Sequence, residues 1–207
     1  FVGLCLLLAV LLYGVRSLLG LTLISGQLIN PWSSRNRMRR VQHATQQGHI
    51  ELAAGHWSHA LRLLGRAARL SQQPLTACLG AARAASELGE LEQCEQFLQQ
   101  AESREPKAAL AVALTRAQLQ IDRGEDAAAR STLQAIRDKQ PRHPQTLRLL
   151  LALLQRQQDW SAIHELLPDL RRQKILAAPA LDVLERHARC ALLEQAAQSE
   201  EPLPALQ

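Results

Sequence analysis

Gly55-His56-Trp57-Ser58-His59-Ala60 recurs along the chain as Gly89-Glu90-Leu91-Glu92-Gln93-Cys94, Gly124-Glu125-Asp126-Ala127-Ala128-Ala129 and Gln158-Asp159-Trp160-Ser161-Ala162-Ile163, at offsets of 34, 35 and 34. The same steps connect Leu64, Leu98, Leu133 and Leu167, and they place Pro106 and Pro141 at matching helix exits. In the unit Gly-x-Trp/Leu-x-x-Ala-x-x-x-Leu, the glycine ends one helix in a left-handed turn and the following residues start the next. A small residue at Ala60, Cys94 and Ala129 lets two helices approach closely. The apolar residue at Trp57, Leu91 or Trp160, with the leucine seven positions on, is expected to bury one helical stripe. Gly48, Ala82 and Ala117 fall seven positions before the turn glycine in the first three units. The pattern predicts helix pairs at 36–53 and 57–70, 75–88 and 91–104, 107–123 and 125–139, and 144–157 and 159–173, with a ninth helix over 179–198.

A period of 34 residues is that of the tetratricopeptide repeat. Composition agrees with an all-α fold: of 207 residues 47% are apolar and only 3% aromatic, with Leu, Ala, Gln, Arg and Glu dominant, so strand-forming types are scarce. A linear stack buries each unit only against its neighbours and needs an end cap, the role expected of the ninth helix. Two units depart from the pattern. Asp126 stands where a large apolar residue is expected, and the fourth unit has Gln158 for glycine and Leu151 for the small residue.

The front of the chain has a different character. Residues 1–15 carry no charge, and at about 1.5 Å per residue they cover roughly 22 Å of a hydrocarbon core about 30 Å thick. The opening Phe1 suggests a sequence that starts inside a membrane helix; a tilted helix running to about Ile24 is the alternative, with Arg16 snorkelling. Tyr13 and Trp32 suit interfacial positions. A signal peptide is disfavoured, since neither a basic leading region nor an Ala-x-Ala pattern is visible. The basic run Arg35-Asn36-Arg37-Met38-Arg39-Arg40 follows at the distance over which cations set orientation, so Arg35, Arg37, Arg39 and Arg40 place the remaining chain in the cytoplasm. The segments expected are therefore a transmembrane or interfacial helix over 1–29, a basic juxtamembrane stretch over 30–40, repeats with their cap over 41–198, and a linker or tail over 199–207.

The net charge of +5 is carried by the front, because five arginines precede residue 41 and the first acidic residue is Glu51. After residue 40 the charges cancel, and composition implies no nucleic-acid partner. Cys5, Cys78, Cys94 and Cys190 show no metal-knuckle or disulfide spacing, and Cys94 is expected in the core. No phosphate-cradling loop, dinucleotide fingerprint, zinc-protease pair or nucleophile elbow is present, and no catalytic constellation can be assembled. His43, His49, His56 and His59 gather in the first unit, and His56 and His59 could share a face, but at a turn such histidines are ordinarily solvated, so no metal, heme or porphyrin site is indicated.

Protein binding is the remaining role. In tetratricopeptide repeats the inner groove is lined by the first helix of each pair at fixed positions, which here fall on His49, then Arg83 and Glu87, then Gln118 and Asp122, then Gln145, Arg148 and Arg156. Arg83, Arg148 and Arg156 could hold carboxylates of a partner's acidic segment or C-terminus bidentately.

The succession of apolar anchor, arginine cluster, Ala54-Gly55-His56-Trp57, Ala81-Ala82-Arg83-Ala84-Ala85-Ser86-Glu87-Leu88-Gly89, Leu114-Thr115-Arg116-Ala117-Gln118-Leu119-Gln120, Pro141-Arg142-His143-Pro144 and Leu166-Leu167-Pro168 resembles the N-terminal region of the proteobacterial HemY proteins. The resemblance covers nearly the whole chain, and the Pro-Arg-His-Pro block followed by Leu147-Arg148-Leu149 is its most specific part. It implies a bacterial inner-membrane tetratricopeptide protein that acts as a scaffold for other heme-biosynthesis proteins in a late step of protoheme synthesis, with its repeats in the cytoplasm. Members of that family usually have two membrane helices and a further repeat block. The flavin-dependent oxidase that shares the name in other bacteria is a different protein, and the missing dinucleotide fingerprint separates the two. A general envelope-assembly adaptor and a porphyrin carrier are the competing expectations.

Overall fold

The computed structural model describes residues 36–199. Every regular element among them is helical: α1 (36–53), α2 (Trp57–Leu70), α3 (Leu75–Glu87), α4 (Leu91–Arg104), a short 3-10 turn (Pro106–Ala108), α5 (Ala109–Asp122), α6 (Asp126–Lys139), α7 (Pro144–Gln157), α8 (Trp160–Arg172) and α9 (Ala178–Ser199). The expected pairs are met to within two residues at each boundary. The expected membrane segment and most of the basic juxtamembrane stretch, Arg35 included, lie outside the described residues, as does the tail beyond Ser199. Among the described residues no helix is long and apolar enough to cross a membrane. The chain divides into two compact units, Phe1–Ala81 and Ala82–Gln207, with the division inside α3.

In the first unit, Gly55 ends α1 at φ +80, donating its N–H to Leu52 O at 3.2 Å while His56 N–H reaches Glu51 O at 2.9 Å. This paired 5→2 and 6→1 arrangement satisfies the last carbonyls of the helix and reverses the chain. The close packing centres on Leu64 of α2, which is fully buried. A Cβ at Gly48 of α1 would stand 2.6 Å from Leu64 Cγ, and one at Gly80 of α3 would stand 2.9 Å from its Cδ1. The two glycines are therefore what lets three helices meet on one leucine.

The second unit repeats the same turn chemistry. Gly89 and Gly124 carry φ +76 and +77, with 6→1 bonds from Glu90 to Ala85 at 2.9 Å and from Glu125 to Gln120 at 2.8 Å. Gln158 takes the left-handed conformation too, at φ 55, and Asp159 N–H bonds Leu154 O at 3.1 Å. The departure of the fourth unit from glycine thus leaves its turn intact, at the steric cost a side chain bears there. Cys94, Leu98, Ala129, Leu133 and Leu167 are buried, as their repeat positions require. Leu151, in place of the small residue, is buried within a leucine-rich cluster drawn from α6, α7, α8 and α9. Leu181, Leu184 and Ala188 of α9 enter that cluster, so α9 packs on α8 as a cap would.

One expectation fails. Leu91 is 49% exposed and does not contribute to the buried stripe, whereas Trp57 and Trp160 at the equivalent positions are half-buried. All three are the first residue of their helix, at the turn end of a hairpin, where an indole is large enough to fold back over the neighbouring turn and an isobutyl group is not.

Candidate functional site

The face singled out by the repeat register belongs to the first helix of each pair. In the second unit Arg83 and Glu87 are exposed on α3, one turn apart. On α5, Gln118 Nε2 donates to Asp122 Oδ1 at 2.8 Å, so these two predicted residues do share a face. Helix α7 presents Gln145, Arg148 and Arg156, all exposed, and α7 packs directly on α5. On the same helices Ala111 and Ala152 are exposed and Leu114 is half-buried.

The three arginines do not have the same freedom. Arg156 pairs with Asp126 at the start of α6 and donates to the Ile121 carbonyl in the last turn of α5 at 3.4 Å. Its guanidinium is spent on joining α7 to the preceding pair, and this also explains Asp126, the acid that stands where the repeat expects an apolar residue. Arg83 and Arg148 make no ion pair among the described residues. His49 belongs to the first unit, where its ring lies across Gly80, with Cε1 2.9 Å from the place a Cβ would occupy.

Sequence reasoning missed the polar links that fix the second unit. Arg116 reaches Glu95 at 2.7 Å, joining α5 to α4. Arg123, at the end of α5, is held by Glu125 at 2.8 Å and donates to Ser86 at 3.0 Å beside the Cys94 sulfur. The guanidinium holds the Glu125 carboxyl below its ordinary value, while burial pushes the Cys94 thiol up, so Cys94 is a protonated core group. Arg130 bonds Asp159 at 2.7 Å and Arg137 bonds Asp169 at 2.9 Å, two rungs between α6 and α8 set seven and ten residues apart on their helices. Asp159 also caps α8 by accepting from Ala162 N–H at 3.0 Å; that bond first, and Arg130 second, hold its carboxyl low. Partners 29 and 32 residues apart fall one repeat distant, and that spacing was the only signal available.

In the first unit, His56 Nδ1 stands 2.8 Å and His59 Nδ1 3.4 Å from the same Glu51 oxygen, with Gln47 donating to the other at 3.1 Å. The shared face expected for the two histidines is real. Hydrogen bonds from His56 and then Gln47 lower the Glu51 carboxyl. Among the described residues no group of three or more His, Cys, Asp or Glu is arranged to hold a metal ion. The Pro-Arg-His-Pro block lines an open depression of about 600 Å³ with Gln140, and its His143 caps α7 by accepting from Thr146 N–H at 3.4 Å.

The fold and this face together define the chain, over its described residues, as an all-helical protein of repeated hairpins whose second unit displays a polar face from the first helices of its pairs. Residues 1–89 match the family described as HemY protein N-terminus. Protein HemY of Escherichia coli K12, of Escherichia coli O157:H7 and of Shigella flexneri are each 28% identical to it over 187 residues, 90% of this chain and 47% of theirs. These matches support the HemY family, in its N-terminal region. The chain spans about half the length of the curated relatives it matches. No solved structure matches it.

Proposed function

We propose that the chain is the membrane-anchored, tetratricopeptide-type portion of a scaffold that serves a late step of heme biosynthesis by holding other proteins of that route at the cytoplasmic face of a bacterial inner membrane. The likeness to proteins named HemY supports the pathway. The observation that carries the binding role is the pair Arg83 and Arg148, exposed on first helices and without an ion-pair partner among the described residues, while Arg116, Arg123, Arg130 and Arg137 are each held by a carboxylate. Two guanidinium forks without an ion-pair partner among the described residues suit the carboxylates of an extended acidic segment. Tethering such partners to one surface raises their effective concentration toward the millimolar range and limits the escape of reactive porphyrin intermediates. In this reading the chain performs no bond chemistry and holds no cofactor.

The test is chemical crosslinking and capture from bacterial membranes, comparing the wild-type chain with Arg83→Ala/Arg148→Ala by mass spectrometry. Enrichment of heme-pathway enzymes that disappears with the two arginines supports the reading. Enrichment that persists keeps the scaffold and removes this face, and recovery of envelope-assembly proteins alone would replace the pathway with a general adaptor. Stoichiometric spectral change on adding heme to the purified chain would favour a carrier.

A further inference from the structure

The charge balance after residue 40 conceals a separation between the two units. Residues 36–81 contain six arginines and one carboxylate, a net +5, whereas residues 82–207 contain thirteen arginines and three lysines against eighteen carboxylates, a net −2. The single acid of the first stretch, Glu51, is already engaged by His56, His59 and Gln47. All six arginines, Arg37, Arg39 and Arg40 on α1 and Arg62, Arg66 and Arg69 on α2, are exposed, and none makes an ion pair among the described residues. In the second unit seven arginines are held by carboxylates.

The arrangement on α2 is ordered. Arg62, Arg66 and Arg69 recur at i, i+4 and i+7, which places them on one stripe about 10 Å long, opposite the buried Ala60, Leu64, Ala67 and Ala68. Helices α1 and α2 are joined by a three-residue turn and run antiparallel, in the register that sets Gly48 against Leu64. Arg69 therefore lies toward the end of the hairpin at which Arg37, Arg39 and Arg40 stand, away from the Gly55 turn. We infer that the α2 ridge Arg62, Arg66 and Arg69 is a docking surface for the anionic headgroups of a lipid bilayer, acting with the α1 arginines to seat the first unit on the membrane. The inference rests on the membrane placement proposed above, because the uncharged run 1–15 precedes these arginines in the sequence and would tether the first unit to a bilayer whose anionic headgroups attract exposed cations. A nucleic acid fits less well. Single strands need aromatic platforms for their bases, and between residues 36 and 81 the sole tryptophan, tyrosine or phenylalanine is Trp57, half-buried at the other end of α2.

The test is arginine footprinting with phenylglyoxal on the 207-residue chain reconstituted into phosphatidylcholine vesicles, with and without phosphatidylglycerol, read by peptide mass spectrometry. Modification of Arg62, Arg66 and Arg69 is expected to slow about fivefold on the anionic vesicles, the occupancy ratio for one basic side chain held at such a surface. The protection should vanish at about 1 M salt, where the Debye length falls to about 3 Å. Arg148, exposed in the second unit, should react equally on both. Equal rates at the ridge on the two vesicles overturn the proposal, as does stronger protection by a short RNA added to neutral vesicles. Flotation with neutral vesicles reads the anchor separately: a chain that fails to float on them but is protected on anionic ones loses the anchor and keeps the ridge.

Discussion

Replacing Gly48 by alanine tests the packing of the first unit most directly. The added methyl would meet Leu64 Cγ at 2.6 Å and Cδ2 at 2.7 Å. Cγ is a branch point rather than a chain end, and Leu64 has no exposed side toward which to move. Contacts this short put the overpacking cost in the upper part of its usual range, about 2–3 kcal/mol, from which the better helix propensity of alanine recovers about 1 kcal/mol. A net loss of about 1–2 kcal/mol corresponds to roughly a 5- to 30-fold larger open population. Cys78, fully buried in the same unit, reports that population through its rate of alkylation, resolved from the other cysteines by peptide mass spectrometry. Labelling of Cys78 in Gly48→Ala is expected to accelerate by that factor. The cause is tested in the Leu64→Ala background, itself about 2–5 kcal/mol less stable. With the isobutyl group gone, Gly48→Ala should become neutral or stabilising, a coupling of about 1–3 kcal/mol. Equal acceleration in both backgrounds would refute the steric account, as would unchanged labelling in the single variant.

Gln158→Gly should stabilise the second unit by about 0.5–1 kcal/mol, because it relieves a left-handed side chain while keeping the turn, and should raise its melting temperature by a few degrees. Asp159→Ala removes both the α8 cap and the partner of Arg130, and a loss of about 0.5–2 kcal/mol is expected in chemical denaturation near neutral pH. Because the Asp159 carboxyl is lowered in the fold, its contribution is present above its unfolded value, about 3.9, and disappears as pH falls through the folded one, so wild type and variant should converge only in strong acid. Leu91→Ser should change stability by no more than about 0.5 kcal/mol, whereas Leu98→Ala, one turn-pair further on and buried, should cost about 2–5 kcal/mol.

The hairpins were legible because two signals coincide in each: a turn residue that can take positive φ and a leucine at a fixed distance beyond it. Gln158 shows where composition misleads, since local backbone bonds hold a glutamine in the conformation that glycine adopts freely. The exposure of Leu91 and the service of Asp126 to Arg156 were not legible, because both depend on how far a side chain reaches at the end of a hairpin rather than on its place in the period. The same is true of the candidate face. Register put Gln118 beside Asp122 correctly, yet it could not separate Arg156, which is committed to Asp126, from Arg83 and Arg148, which are not. Summed charge hid the contrast between the units, because the three arginines of the α2 ridge are offset in the total by acids that lie beyond residue 81.

Trp57 opens α2 in the first unit and Trp160 opens α8 in the second, where it lies 6.3 Å from the His187 ring of α9. A chain this poor in aromatic residues therefore has a built-in optical reporter for each unit. With Trp32 and one of these two replaced by phenylalanine, the emission of the remaining indole follows a single unit through a denaturation curve, and the pair of curves shows whether the two halves melt together or in sequence.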